Sequence, residues 1–587
     1  MTRAARLVGP ALPTPAHPTV PAALRAAADS TATITLVDAR ESESVLSMRE
    51  LYAGARRVAA SLRERGVREG DRVALVLPTG RDFLDAFFGA QLAGAVPVPL
   101  YPPVRLGRMD EYVQSTARMM RAVGAAALVT DRRLGLLLGR VVEAARPALG
   151  WVTAAELRDT PREVEVATSE DALGVIQFSS GSTVDPKPVA LSQRNLVAQC
   201  AALKALLPER DGAPHVGVSW LPLYHDMGLI GCLLAAVTFA RPLVLIPPEV
   251  FLARPALWLR ALSRHGGTVS PAPDFAYALC TKRARDEDLA GVDLSRWSYA
   301  LDGAEPVSPR VLEEFARRFA RYGFRREALT PVYGLAEASL ALTFSASDRT
   351  ERTLGVDARE LALHGRVTRG DRAIVSVGRA APGAEIEVRA RDGEVAHERE
   401  VGVIYARAPF VMTGYFDRPE ATAAALADGW LDTGDLGFVE GGELFVCGRA
   451  KDVVILRGAN HAPQEFEDCL DGIEGLRAGC AVAVGFVPSE GEGEQLLILA
   501  ETKGDVGADL GARVAEAVAA RTGVRPHTVR LLAPGSLPRT SSGKLRRGES
   551  LRRHLAGTLD APEAVSALTV TREAARSALA LARTALG

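Results

Sequence analysis

Apolar residues in the first third of the chain follow two alternating rhythms. Across residues 49–65, Leu51, Ala55, Val58, Ala59 and Leu62 recur at helical spacing, and Gly66 stands where a helix C-cap belongs. Short apolar runs at 72–77, 95–100 and 125–130 predict buried strands, with helices over 81–92 and from about 110 between them. Strand and helix in alternation predict parallel α/β architecture. Further on, residues 194–207 predict a helix. Another starts at Ser308, an N-cap followed by Pro309, with Val311, Leu312, Phe315 and Phe319 as its buried stripe and Arg317, Arg318 and Arg321 on its solvated face.

From about residue 375 the pattern changes. Apolar segments at 386–390 and 394–396 flank an Asp392-Gly393 turn, and 443–447 follows Gly441-Gly442, both β-hairpin signals. Beyond Lys451 come a helix near 464–470, strands near 481–486 and 495–501, and a helix over 509–522. The expected organisation is a flexible Pro/Ala-rich lead over 1–20, a large N-terminal domain over 21–450 whose α/β sheets carry a β-rich subdomain, and a small α+β C-terminal domain over 451–587.

Composition narrows the class. A chain of 587 residues is long for one core; 48% hydrophobic and 24% charged content is that of a soluble globular protein, and a net charge of −1 gives no case for nucleic acid as a partner. The six cysteines form no CxxC or other metal spacing and are expected as reduced core thiols. The longest apolar run, 229–240, is broken by Arg241-Pro242 and is too short to span a bilayer, so no stable membrane insertion is expected. Prolines interrupt the N-terminus where an export signal needs an apolar stretch, and a cytoplasmic location is expected.

Candidate chemistry gathers in a few polar turns. FSSGSTVDPKPVAL, residues 178–191, reads as strand, loop, strand. Ser179, Ser180, Ser182 and Thr183 supply hydroxyl donors, Gly181 permits close backbone approach and Lys187 adds a mobile charge, a set suited to a polyphosphate. It is not a Walker A loop, and taken alone it reads equally as a solvated turn. In SWLPLYHDMGLIG, His225 and Asp226 stand at the edge of an apolar run where a carboxylate with an apolar tail could enter; a lone histidine is more often a satisfied core residue. LDGAEP and TPVYGLAEASL each end an apolar strand in a glycine-containing turn with one acid, Glu305 or Glu337, and open α/β sheets bind ligands at such strand ends. Lys544 stands at the tip of PRTSSGKLRR, where a plain solvated loop is the simpler reading.

Together the motifs SSGSTVDPK, DGAEP, VYGLAE, WLDTGD, GRAKD and PRTSSGK, in that order, resemble the adenylate-forming superfamily of acyl-CoA synthetases, peptide-synthetase adenylation domains and luciferases, over about residues 47–553. Within it the chain looks most like the fatty acyl-AMP ligases. WLPLYHDMGLIG and the stretch from DGAEP through VYGLAEASL are similar to theirs, and RGANHAPQEFE resembles their RGxNHxPQDIE. The segment 345–373 matches the place of their extra insertion, which restrains the C-terminal domain. Val184, Pro188 and Asp302 depart from the pattern: Gly is usual at the first and frequent at the second, and Asn is common at the third.

The resemblance implies ATP and Mg²⁺ as cofactors and a fatty acid as substrate. Ser179, Ser180, Gly181, Ser182, Thr183 and Lys187 would hold the β- and γ-phosphates, and Glu337 the Mg²⁺. Gly303, Ala304, Glu305 and Tyr333 would flank the adenine, with Tyr333 stacking on it and Gly334, Leu335 and Ala336 continuing that turn. Asp435 and Arg449 would take the ribose, and Lys544 would reach the substrate carboxylate and α-phosphate. His225 would border the acyl path, Gly231 and Cys232 would line an acyl tunnel, and Lys451 would be the hinge of a mobile lid. The acyl group would pass to the phosphopantetheine thiol of an acyl carrier protein acting in trans in polyketide or lipopeptide biosynthesis. The basic run Lys544, Arg546, Arg547, Arg552 and Arg553 either meets that carrier or is a solvated or adenylate-facing end. An acyl-CoA ligase and a non-catalytic acyl- or nucleotide-binding homologue are the alternatives.

Overall fold

A computed structural model describes residues 3–103, 106–179, 186–209, 213–346, 350–488, 493–504, 506–540, 543–562 and 567–586. Its largest element is a nine-stranded sheet. The middle strands, Val269–Ala272, Tyr299–Asp302 and Leu329–Gly334, run parallel, so their carboxyl ends deliver DGAEP and VYGLAE to one edge. Antiparallel strands extend both sides of this sheet, Ala341–Phe344 and then Arg379–Ala380 on one and Glu43–Ser47 on the other. The alternation read at the start of the chain forms a separate four-stranded parallel sheet in the order Val96–Leu100, Arg72–Val76, Ala125–Thr130, Trp151–Thr153.

Local signals placed the helices well. Ser47 and Glu50 form a capping box at Met48–Glu64, and Ser192 with Asn195 does the same for Gln193–Leu206. Ser308 caps Pro309–Phe319, whose stripe Val311, Leu312, Phe315 and Phe319 is buried. A small antiparallel sheet, Gly414–Tyr415, Pro188–Ser192 and Leu173–Phe178, supports the Ser-rich loop. Pro188 opens its strand, a position where a missing N–H is tolerated.

The start of the chain differs from expectation. Residues 6–8 of the expected flexible lead form the strand Arg6–Val8, antiparallel to Glu385–Arg389, with Leu7 buried and Arg6 bridging Glu385 at 2.6 Å. The same pairing explains why 394–396 is no strand. Ala396 N still donates to Val388 O (2.9 Å), but beyond that point the N-terminal strand occupies the edge a longer hairpin would need.

Within the expected insertion, Thr353–Val356 pairs with Arg372–Val375 around the helix Ala358–His364. Val356, Val367 and Ile374 pack with Phe438 and Phe445 of the β-rich subdomain, while Arg372 reaches Glu465 of the small domain at 3.3 Å. The small domain carries the sheet Leu476–Phe486, Gln495–Thr502, Thr528–Leu532, covered by Leu510–Thr522 and Arg547–Leu555. The terminal helix Ala567–Leu586, expected with the small domain, lies instead on Arg132–Ala145 of the large one. Gly139 N donates to Ser577 Oγ at 2.7 Å, and a Cβ at Gly139 would fall 2.1 Å from Ser577 O. Among the described residues no helix is long and apolar enough to cross a membrane.

Candidate active site

The polar turns converge on one cavity of about 380 Å³. On one side, the hairpin of Leu173–Phe178 and Pro188–Ser192 sets Ser179 against Lys187: Ser179 N donates to Lys187 O (2.9 Å) and Lys187 N to Ser179 Oγ (3.3 Å). Both residues line the cavity. Ser180, Gly181, Ser182, Thr183 and Val184 lie outside the described residues.

Opposite, Tyr333 ends a central strand and donates its hydroxyl to Asp435 Oδ2 at 2.8 Å. Asp435 pairs in register with Arg449, whose Nε is 3.2 Å from its other oxygen. Burial pushes the Asp435 carboxyl above its ordinary pKa, partly offset by Arg449 and the Tyr333 hydroxyl. Gly334, Leu335 and Ala336 continue along the wall to Glu337, whose Oε1 accepts from Tyr415 OH at 2.9 Å. Burial also raises the Glu337 pKa.

Ala304 lines the cavity with a left-handed backbone (φ 69°), whereas Gly303 and Glu305 flank it without lining it. Glu305 Oε1 instead accepts from Phe275 N (2.7 Å) at the start of the helix Asp274–Arg283, where a carboxylate complements the helix dipole.

His225 and Asp226 both line the cavity, with Nδ1 2.6 Å from Oδ1. Burial pushes the Asp226 carboxyl up, but His225 and Lys544 outweigh it and leave its pKa below the usual value. Lys544 enters from the small domain on a turn closed by Thr540 N to Lys544 O (2.7 Å) and Lys544 N to Thr540 Oγ1 (3.0 Å). Burial lowers its pKa against the opposing pull of Asp226 and Glu305. Lys451, in the turn Ala450–Asp452 between the two domains, also lines the cavity, its pKa lowered by burial and by Arg449. The small domain therefore sits with Lys544 lining the same cavity as Ser179, Lys187, Glu337 and Arg449.

Residues 22–416 match the family described as AMP-binding enzyme. A solved structure from a study of fatty acyl-adenylate ligases of E. coli and L. pneumophila superposes with a TM-score of 0.86 at 33% identity, covering 93% of this chain and 99% of that one. The chain belongs to the AMP-binding enzymes, in their fatty acyl-AMP ligase branch. It is an AMP-forming ligase that uses ATP. Among curated relatives, a putative acyl-CoA synthetase of Caulobacter vibrioides is 39% identical over 84% of this chain and 87% of its own length. The medium-chain-fatty-acid–[acyl-carrier-protein] ligase JamA of Moorena producens is 32% identical over 88% and 91%.

At the far end the ligase's cavity turns apolar, walled by Leu203, Leu207, Leu301, Val332, Leu340 and Phe344. Gly231 lines this end, and a Cβ there would fall 2.8 Å from Leu340 Cδ2. Cys232, expected beside it in the tunnel wall, is buried next to Ser219 and does not line the cavity, because the helical turn directs adjacent residues to different faces.

The basic run is largely engaged inside the ligase. Arg547 Nε binds Glu467 (2.8 Å), Arg552 binds Glu549, and Arg553 holds both Glu549 and Glu111 of the large domain (2.8 Å). Lys544 lies in the cavity and Arg553 ties the small domain to the large one, while Arg547 and Arg552 pair with acids of the small domain itself.

One site residue escaped sequence reasoning, as did the partner role of another. Asp226 stood out beside His225 as a second polar group at the edge of an apolar run, but its hold on the His225 ring did not. Tyr415 carried no signal: it sits in a two-residue strand, 78 positions from the carboxylate it binds.

Proposed function

We propose that the ligase converts a fatty acid and ATP into acyl-adenylate and pyrophosphate, then passes the acyl group to the phosphopantetheine thiol of a separate acyl carrier protein. The observation that carries the reading is Lys544 of the small domain lining the same cavity as Lys187, Glu337 and Arg449 of the large one.

In the first step a carboxylate oxygen bonds to the α-phosphorus and the bond to the bridging oxygen of the β-phosphate breaks. The nucleophile is already ionised at neutral pH, so no base is required, and the task is to bring two anions together. Lys187 and Ser179 hold the outgoing phosphates. Asp435 accepts from the ribose hydroxyls with Arg449 beside it, and Tyr333 packs on the adenine while its hydroxyl orients Asp435. Lys544 donates to the substrate carboxylate and the α-phosphate as charge builds there. His225, held by Asp226, borders the carboxylate's entry as a positioning group.

Mg²⁺ fits the donor set. Among the described residues no three His, Cys, Asp or Glu side chains gather as a metal cluster, and Glu337 offers one carboxylate at the phosphate end. That is how Mg²⁺ is commonly held, by a carboxylate plus nucleotide phosphates and water. When bound it would neutralise the departing pyrophosphate.

In the second step the thiol sulfur bonds to the acyl carbon, AMP leaves and the thiol proton passes to water. Lys544 must first withdraw, by rotation of the small domain about Lys451. The likeness to JamA supports the carrier as acceptor, while the name of the Caulobacter relative keeps CoA as the competing one. Incubation with ATP, a fatty acid and either CoA or a holo-carrier separates them: acyl-carrier without comparable acyl-CoA is expected, and efficient acyl-CoA formation overturns the carrier reading. Absence of pyrophosphate exchange with every carboxylic acid tried would favour a non-catalytic binding role.

A further inference from the structure

Tyr415 joins two groups that sequence separates widely. Its strand, Gly414–Tyr415, pairs antiparallel with Pro188–Ser192, Tyr415 opposite Val189, which places the ring beside Lys187. The Lys187 Nζ lies 4.5 Å from the ring centroid, over its negative face. The hydroxyl of the same ring donates to Glu337 Oε1 at 2.9 Å. Tyr415 is 7% exposed as a residue, and its backbone is strongly constrained. Tyr415 N donates to Thr422 Oγ1 (2.9 Å), Met412 N donates to Glu337 O (2.8 Å), and Thr413 N donates to Ala190 O (3.0 Å). Gly414 has φ 148°, and a Cβ there would fall 2.8 Å from Thr422 Cγ2, so the turn that presents the ring requires glycine.

We propose that Tyr415 is a positioning residue for the polyphosphate of ATP: one rigid ring sets the ammonium of Lys187 with its face and the carboxylate of Glu337 with its hydroxyl, so that the phosphate charge and the Mg²⁺ carboxylate keep a fixed separation. This rests on the reading above that Lys187 faces phosphate and Glu337 faces Mg²⁺. The two side chains come from segments beside different sheets: Lys187 precedes the strand Pro188–Ser192, and Glu337 lies in the turn Ala336–Ala338 that follows Leu329–Gly334. Without the ring, a flexible lysine and a carboxylate able to rotate about χ3 would each have to be ordered when nucleotide binds. The ring removes much of that ordering beforehand, and its two contacts act on separate parts of the site. The hydroxyl governs only Glu337, and the face governs only Lys187.

That separation makes the proposal testable by equilibrium binding of α,β-methylene-ATP to the full chain, in EDTA and in saturating Mg²⁺. Tyr415→Phe keeps the ring face and is expected to bind the metal-free nucleotide like wild type while losing about 3- to 10-fold of affinity in Mg²⁺. Tyr415→Leu is expected to lose about 2- to 5-fold in EDTA as well, the range of a cation–π contact whose cation stays exposed to water, as Lys187 does. That extra loss should vanish in a Lys187→Met background, because the contact is then already absent. In steady state the KM for Mg²⁺·ATP should rise with the KM for fatty acid unchanged. Equal losses in Tyr415→Phe with and without Mg²⁺, or a Tyr415→Leu loss that persists undiminished beside Lys187→Met, would overturn the proposal. If Lys187→Met and Glu337→Gln themselves leave Mg²⁺·ATP binding unchanged, the underlying assignment fails and this inference falls with it.

Discussion

Replacing Lys544 by alanine removes a cation that the body of the small domain carries into the cavity, beyond the hinge residue Lys451. In the docked arrangement this ammonium lies in the field of Asp226, Glu305 and Asp435, and burial has already lowered its pKa. A carboxylate attacking the α-phosphorus adds negative charge at this point. A unit charge about 4 Å away, at an effective dielectric of about 20, is worth about 4 kcal/mol. Removal of one preorganised donor to a developing oxyanion costs about 2.7–4 kcal/mol. At about 1.4 kcal/mol per tenfold, adenylate formation should slow by about 100- to 1000-fold. ATP binding should change little, because Ser179, Lys187, Tyr333, Asp435 and Arg449 all belong to the large domain. The assay is single-turnover acyl-adenylate formation followed by mass spectrometry, with nucleotide affinity measured separately. Transfer of the acyl group from supplied acyl-adenylate to a holo-carrier should stay within about threefold of wild type, since the lysine has withdrawn by then. A variant that forms adenylate within about fivefold of the wild-type rate would refute the role of Lys544.

Tyr333→Phe deletes the hydroxyl that orients Asp435 and should raise the KM for ATP about tenfold while the KM for fatty acid holds, measured by pyrophosphate exchange. Asp302 is fully buried, and burial together with Asp274 and Glu305 raises its pKa well above the carboxylate range. The folded state then holds a proton that the unfolded chain releases above about pH 4, so stability falls as pH rises from that point toward the raised folded value. Asp302→Asn removes the penalty and should raise Tm by about 2 °C or more at pH 8, and by less at pH 5, in thermal scans. Gly231→Leu fills the apolar end beside Leu340 and should lower kcat/KM for the longest acids by about tenfold or more relative to short ones in a chain-length series.

Much of this arrangement could be read along the chain because its signals are local. Ser308 and Pro309 announce a helix start, and the strand-and-helix alternation over 72–130 announces a parallel sheet. The turns at the cavity were visible because each ends an apolar strand in glycine and one polar group. What the sequence concealed depends on partners far along the chain. Tyr415 gains meaning only from a strand pairing that sets it beside Lys187, and no feature of GYFDRPEAT points to Glu337. Glu305 has the same local look as Glu337, yet the helix Asp274–Arg283 draws its carboxylate to a backbone N–H. Leu7 and the terminal helix have weak local patterns, and their places follow from an open strand edge and from the close approach that Gly139, lacking a Cβ, permits. The basic run looked available for an external partner because its acids, Glu111, Glu467 and Glu549, are supplied from three separate segments.

The central claim is that residues of both domains meet around ATP and a fatty acid to make an acyl-adenylate. Pyrophosphate exchange by the wild-type chain, measured across straight-chain acids of increasing length, tests it most directly. The account predicts exchange that requires the acid, rises with chain length until the apolar end is filled, and comes with an acyl-AMP of matching mass. Exchange absent with every acid, or present without any, would contradict it.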